Sequence, residues 1–482
     1  MPDKIVQSLM ALRRSSFPII YVHRNGEEAP TGPDVKPVQW DGDTLGSLIE
    51  TVRNRTQADF YLWIPPGVQV ISQPLEQFVQ AFEQHPEGSL FVSNYIADKQ
   101  VVDIFPLQDD LTEREDWGAA WGFPAWALDK IGGADTRLKH STFYDLRLKL
   151  METGPVIHIP ESAYRIDTTD TDAESFEDVL FFPGKGAYGG FSYLFMDPEE
   201  EKEIEETFYS CLWRRGAYLE PRNKIVEPAQ LSPDDPVVSV VIPVHNRAQY
   251  LPLAVESVIN GTYSNFEIII VDNASSDDTY SVAENLTRQD SRIRLLSNPV
   301  NLIAKALNLG VKNARGRYIA QLDSDDEYTM DTLKTMVEYL DSHPKCGLAI
   351  SYYELMNESG ETLQQLGTIK HLEYNLNNIM RVDGAGALRC WHKSVIEEFG
   401  GFSETDFPNY GEDYDLVLKV SEHYDVDRVH AVLYRYRRHP GNTDALRNQQ
   451  DKITAKTFAR ISAINRRQML NGYKSSQKAD KG

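Results

Sequence analysis

The 482-residue chain is poor in three things. Its three cysteines, Cys211, Cys346 and Cys390, are far apart and form no CxxC pair, which excludes a disulfide framework and a cysteine-based zinc site. No run of about 18 apolar residues occurs, the length a membrane-spanning helix needs; the longest apolar stretches, Val237–Val244 and Phe266–Val271, are strand-sized. Positive charge is scarce as well. Against 72 acidic residues stand 49 lysines and arginines, a net charge of −23, so a bulk electrostatic grip on nucleic acid is excluded. Met1–Ser16 is interrupted by Arg13-Arg14 and has no small-residue cleavage site, unlike a secretory leader; Ile5, Leu9 and Leu12 fit a short amphipathic helix. The expected location is cytoplasmic. What remains, 41% hydrophobic and 25% charged residues, is ordinary for a globular protein, and the length suits two large domains or three smaller ones.

Punctuation divides the chain. Asp197–Glu206 is an acidic run that starts a helix reaching about Arg215, and four prolines between Pro221 and Pro236 read as a linker. After it, VVSVVIPVHNR opens a new unit with a buried strand. Leu251, Ala254, Val255 and Val258 then fall on one helix face, with Asn246 as a cap. FEIIIVD and RYIAQLD (Arg317–Asp323) are further strands, and the alternation predicts a mostly parallel α/β sheet binding ligands at its carboxyl ends. From Gly441 onward, nine basic residues face three acidic ones, and Leu446, Ile453, Phe458, Ile461 and Ile464 mark an amphipathic helix. That basic tail suits either peripheral contact with an anionic membrane or packing on the protein's own acidic surface.

The two halves resemble each other. Residues 59–95 align without a gap on 317–353, pairing Leu75 with Leu333, Val79 with Val337 and His85-Pro86 with His343-Pro344; YDLRLKL (144–150) matches YDLVLKV (414–420), and IIYVHRN (19–25) matches VIPVHNR (241–247). The charged positions differ. Asp323-Ser324-Asp325 faces Pro65-Pro66-Gly67, Glu412-Asp413 faces Thr142-Phe143, and His439 faces Thr169. Shared α/β periodicity could produce such a likeness; a duplicate that kept its fold and lost its chemistry explains it better.

In the second half, RYIAQLD runs into Asp323-Ser324-Asp325-Asp326. Carboxylates one residue apart at a buried strand end suit a hard cation that completes its shell with phosphates, though acidic loops are commonly solvated turns. In order, VSVVIPVHNR, EIIIVDNASSDDT, NPVNLIAKALNLGVKNARGRYIAQLDSDD, GGF, GEDYDL and RHPGNT resemble the family 2 glycosyltransferases over residues 237–440. The resemblance implies a GT-A fold and an inverting, metal-dependent sugar transfer. It assigns Pro243, Asn246, Arg247, Asp272, Asn301, Lys305, Asp323 and Ser324 to the nucleotide-sugar donor (a UDP-sugar), and Asp325 and His439 to Mn²⁺ or Mg²⁺. Asp413 becomes the general base, and Gly384, Gly386, Tyr410 and Glu412 face the acceptor. His439 also reads as a member of a basic cluster with Arg437 and Arg438.

The expected architecture is therefore α/β: a degenerate, non-catalytic GT-A-like domain (1–196), an acidic helix and Pro-rich linker (197–236), a catalytic GT-A domain with a mostly parallel sheet (237–440) and a basic helical tail (441–482). The acceptor is a cell-surface glycan or lipid-linked precursor. A protein or peptide acceptor is the alternative, as is a non-catalytic carbohydrate-binding or assembly protein. The first domain would serve by packing, by holding the acceptor or by forming a homodimer. Gly184–Gly189 fits GxGxxG without the βαβ context that would make it a dinucleotide site, and Trp117, Trp121 and Trp126 suit core packing or sugar stacking.

Overall fold

The computed structural model describes residues 19–23, 35–166 and 197–472, apart from 57, 66–67, 98, 114, 222–223, 365–366, 371–372, 383–385 and 443–445. The N-terminal amphipathic segment, the GxGxxG loop, Thr169 and Gly384 lie outside the described residues. Two compact units form, Met1–Cys211 and Leu212–Gly482; the division falls inside helix α5 (Pro198–Arg214).

The second unit is built on a nine-stranded sheet. Its strands are β9 (Val238–Val244), β10 (Phe266–Asn273), β11 (Ile293–Asn298), β12 (Tyr318–Gln321), β13 (Glu327–Tyr328), β14 (Cys346–Met356), β15 (Thr368–Ile369), β16 (Arg389–His392) and β17 (Asp425–Arg437). They lie in the order 11-10-9-12-16-14-17-13, with β15 on β14. Every residue of β9 and β10 is buried, as their predominantly apolar sequences suit in central parallel strands. Helices α6 (Leu251–Ile259), α7 (Thr279–Gln289) and α8 (Ile303–Asn313) make the crossovers. The sheet is mixed: β9, β10, β11, β12, β14 and β17 share one sense, while β16 runs antiparallel to both β12 and β14, β13 antiparallel to β17 and β15 antiparallel to β14. Periodicity reports that a strand is buried and is blind to its direction, which the long excursion before β16 reverses.

Two local expectations change. Tyr250, not Asn246, precedes α6; Asn246 adopts φ of +52° and its Oδ1 accepts from the backbone N–H groups of Ser276 and Asp277, at 2.8 and 3.3 Å. The Pro-rich segment is not a free linker. Within Pro221–Pro236, Val226 is buried and its N–H donates to Pro344 O; just before that segment Ala217 and Leu219 are buried and Asn377 exchanges two hydrogen bonds with Leu219.

The basic tail becomes helix α12 (Gln449–Leu470) on α11 (Glu412–Ser421). Arg466 pairs with Glu422 and Asp415, and the fully buried Arg460 and Arg467 reach Met380 O and Asn377 Oδ1. Arg460, Arg466 and Arg467 of the basic tail are thus used inside the unit.

The first unit contains β1 (Ile19–His23) and β2 (Val35–Gln39) as a separate parallel pair. A six-stranded sheet follows, from β3 (Phe60–Trp63), β4 (Gln69–Val70), β5 (Leu90–Ala97), β6 (Gln100–Val102), β7 (Trp121–Pro124) and β8 (Val156–Ile166), in the order 3-7-5-8-4 with β6 on β5. Helices α1 (Leu45–Arg55), α2 (Ser72–Gln84), α3 (Ala125–Lys130) and α4 (Thr142–Met151) complete it, with the start of α5. Glu203 of α5 accepts from the backbone N–H groups of Lys139, His140 and Ser141, satisfying free donors at the start of α4. That bond explains why the acidic helix begins with the first unit.

Candidate active site

The second unit's chain winds outward from β9 through β10 to β11, then returns to place β12 on the other side of β9. The crevice between β9 and β12 is a topological switch point, where open α/β sheets bind ligands. Strand β12 ends with Gln321 opposite Val241 while β9 runs on beside β10. Pro243 therefore sits where β9 has lost one neighbour, and its missing N–H costs no ladder bond on that side.

Residues just beyond the two strands meet across the opening. Asp325 Oδ2 lies 3.0 Å from His439 Nε2 and 3.2 Å from Arg247 Nε, and Arg247 Nη2 donates to Gly441 O at 2.6 Å. Burial tends to raise the Asp325 carboxyl, but the His439 hydrogen bond and the Arg247 charge outweigh it and hold the group below the usual range. Asp326 turns inward, accepting from Tyr434 OH and Arg437 N–H; loss of solvent and the charges of Asp325 and Asp323 push its carboxyl well up. Ser324 is buried beside them.

The donor set fits a divalent cation. A separation of 3.0 Å between Asp325 Oδ2 and His439 Nε2 is that of neighbouring ligands on an octahedral ion with bonds of about 2.1 Å. Among the described residues no group of three His, Cys, Asp or Glu side chains could hold a metal. A cation here would take two protein ligands and complete its shell from substrate and water.

A second charged cluster starts at α11. Gly411, at φ of +84°, makes the left-handed turn that only glycine adopts freely, and it sets Glu412 and Asp413 in the first helical turn, where the helix dipole favours carboxylates. Asp413 Oδ2 is 2.6 Å from Arg389 Nη2, and its Oδ1 accepts from Tyr414 N–H at 2.7 Å. Glu412 is buried and its Oε2 has no hydrogen-bond partner; loss of solvent and the Asp413 charge push its carboxyl up to about 8, against the pull of Arg389. Asp323 links the clusters. It is ringed by protein yet open to water at the cleft mouth; loss of solvent and the Asp325 charge push it up to about 6, Arg389 opposes and Asp413 adds. Water at the mouth limits the first of these causes.

The remaining expected residues flank these clusters. Asp272 is buried one residue before the end of β10, its Oδ1 without a partner. Asn301 accepts from Asn273 Nδ2 at 2.9 Å, and Lys305 lies half-buried in the first turn of α8. Tyr410 stacks under the Arg447 guanidinium at 4.7 Å, and Gly386 lies against Arg389. A cavity of about 520 Å³ adjoins the first cluster, lined by Asn246, Arg247, Tyr250, Asp277, Glu358 and His439 among others; Asp272, Asn301 and Lys305 are not in its wall. Arg389 was not expected at all. Its one signal was a charge inside the apolar run Ala387–Trp391.

An α/β crevice with carboxylates, a histidine and arginines at the switch point is equipped for group transfer from an anionic donor. Residues 239–397 match the model of glycosyl transferase family 2, so the chain carries a domain of that family. Over 240 residues it is 29% identical to an uncharacterized glycosyltransferase of Haemophilus influenzae, covering 47% of this chain and 72% of that one. Over 288 residues it is 26% identical to a chondroitin synthase of Escherichia coli, covering 57% of this chain and 40% of that one; the match thus takes in less than half of the synthase. The solved structure of S. aureus TarS 1-349 in complex with UDP-GlcNAc aligns with 50% of this chain and 76% of its own at 18% identity and a TM-score of 0.38, a partial similarity of chain trace and no more.

Proposed function

We propose that the second unit transfers a sugar, with inversion and with the help of a divalent metal, from a UDP-sugar to a hydroxyl of a cell-surface glycan or its lipid-linked precursor. The observation that carries this reading is the convergence of two carboxylate clusters, Asp325 with His439 and Asp413 with Arg389, on Asp323 at the switch point of a family 2 domain. A relative named chondroitin synthase supports a glycan acceptor. Asp272, with an unpartnered buried oxygen, accepts from the nucleobase. Pro243, Asn246, Arg247, Asn301, Lys305, Asp323 and Ser324 surround the rest of the donor, and Gly386, Tyr410 and Glu412 face the acceptor.

In the transfer, the acceptor oxygen bonds to the anomeric carbon as that carbon's bond to the diphosphate oxygen breaks. The acceptor proton passes to the Asp413 carboxylate, and the nucleoside diphosphate leaves with the electron pair. An ionised carboxylate within reach of the hydroxyl can act as such a base, and holding both substrates in line lowers the entropic part of the barrier. Mn²⁺ or Mg²⁺ held by Asp325 and His439 would stabilise the charge on the departing diphosphate. The first unit, lacking these groups, serves a non-catalytic role.

Incubating the full chain with a panel of UDP- and GDP-sugars, with Mn²⁺ or with a chelator, tests the reading. Metal-dependent release of UDP from one sugar is expected, with inverted configuration in the product. Release that ignores the chelator, or none from any donor, would refute it.

A further inference from the structure

We propose that Arg389 is the positioning residue for Asp413, holding its carboxylate in the one orientation from which it takes the acceptor proton. This rests on the reading of Asp413 as the base. Both oxygens of Asp413 are tied, Oδ2 to Arg389 Nη2 at 2.6 Å and Oδ1 to Tyr414 N–H at 2.7 Å, so the carboxylate is fixed against rotation while its side chain stays 28% exposed toward the cleft. Arg389 is itself immobilised. It lies in β16, opposite Gln321 of β12 and Ile350 of β14, with its side chain only 16% exposed. The neighbouring Gly386 leaves it room, since a Cβ there would come within 2.6 Å of the guanidinium carbon. The guanidinium acts on Glu412 and Asp323 as well as Asp413. Without this cation, the Asp413 and Asp323 carboxylates would repel each other beside the protonated Glu412.

The first unit supplies an independent observation. Trp121 of β7 pairs with Trp63 of β3 and Val92 of β5, the register Arg389 has with Gln321 and Ile350. The residue matching Asp413 is Phe143, and the two rings meet at 4.8 Å. Both members of the ion pair are thus replaced together by an aromatic pair. The neighbouring helical ion pair is kept, as Lys149–Asp145 at 2.5 Å and Lys419–Asp415 at 2.6 Å. The scaffold does not need an arginine at this register, so Arg389 is there for the carboxylate it holds.

The test uses full-length Arg389→Met and Arg389→Lys, each also combined with Asp413→Asn, assayed for UDP release from the accepted UDP-sugar and crystallised. Arg389→Met should lower kcat on the order of 10²-fold, the effect of misplacing a reacting group by about 1 Å, with donor KM nearly unchanged. Arg389→Lys should recover part of the loss, because it restores the charge without the planar fork. Adding Arg389→Met to Asp413→Asn should cost nothing further, as expected when one residue acts through another. In the Arg389→Met crystal the Asp413 carboxylate should have turned from its place. An unmoved carboxylate, or losses that add in the double variant, would overturn the proposal. If the wild-type protein released no nucleoside diphosphate from any donor, the glycosyl-transfer reading would fail, and the position of Asp413 in the Arg389→Met or Arg389→Lys crystal would still decide whether Arg389 holds it. Should Arg389→Met not fold, the Lys variant carries both readouts.

Discussion

The sheets of the two units share one plan and differ at its charged ends. Strands β3-β7-β5-β8-β4 of the first unit follow the order and senses of β12-β16-β14-β17-β13 in the second. Registers agree as well: Tyr95 pairs with Tyr164 where Tyr353 pairs with Tyr434, and in both units an irregularity precedes that pair on the long parallel ladder. A one-residue slip would turn every buried side chain of a strand outward, so agreement of register across two strand sets reflects the same pattern of buried residues. The difference lies where the strands end. The second unit has Arg389, Asp413 and Gln321 where the first has Trp121, Phe143 and Trp63, a joined set of rings. The second unit also adds β9, β10 and β11 to its sheet, whereas β1 and β2 stay apart from theirs. Among the described residues, the ion pair Arg389–Asp413 and the contact of Asp325 with His439 belong to the second unit.

The strongest way to break that contrast is to remove the carboxylate proposed to hold the metal. Asp325→Ala should abolish Mn²⁺-dependent donor turnover, and calorimetry on the full chain should show no residual heat for UDP-sugar with Mn²⁺. Undiminished Mn²⁺-dependent turnover in that variant would refute the assignment of Asp325. Next in size, Asp413→Asn keeps the shape and removes the proton acceptor, so the rate should fall on the order of 10²–10⁴-fold with donor affinity nearly unchanged. Lost binding with normal chemistry on bound donor would make Asp413 a ligand contact instead.

The matching change in the first unit should act on stability alone. Trp121 is 7% exposed and its indole N–H donates to Gly118 O at 2.9 Å. Trp121→Ala should cost about 3–5 kcal/mol, typical of a large buried ring, read by chemical denaturation. Turnover per folded molecule should stay within twofold. A fall in turnover without a fall in stability would show that the aromatic cluster takes part in the reaction.

How far these features could be read beforehand follows from what each depends on. Strands β9 and β10 and helix α6 were legible because their apolar patterns are local and unmixed. The meeting of Asp325 with His439 was legible only through the resemblance of motifs, since 114 residues separate them. Strand direction was not legible, because the path of the chain before β16 decides it. Nor was Arg389: an arginine in a strand ordinarily reads as a solvent-facing charge, and only the fold brings it to Asp413. Asn246 misled because asparagine serves equally as a helix cap and as a loop acceptor, and the backbone of Ser276 and Asp277 claimed it.

The smallest expected effect concerns Glu412, where the first unit has Thr142. A carboxyl raised to about 8 from the ordinary 4.5 stays protonated in the folded chain through a range in which the unfolded chain has lost its proton. The native state therefore binds more protons than the unfolded one between about pH 4.5 and 8, and stability falls as pH rises across that window. Glu412→Gln keeps the shape and removes the titration. Its melting temperature should match the wild type near pH 4 and exceed it by a margin that widens as pH rises to 8.5. Thr142→Val, at the corresponding buried position of the first unit, should show no such divergence with pH. Parallel melting curves for wild type and Glu412→Gln from pH 4 to 8.5 would mean that Glu412 is ionised in the native crevice, and Arg389 would then be neutralising two carboxylates of α11 and not one.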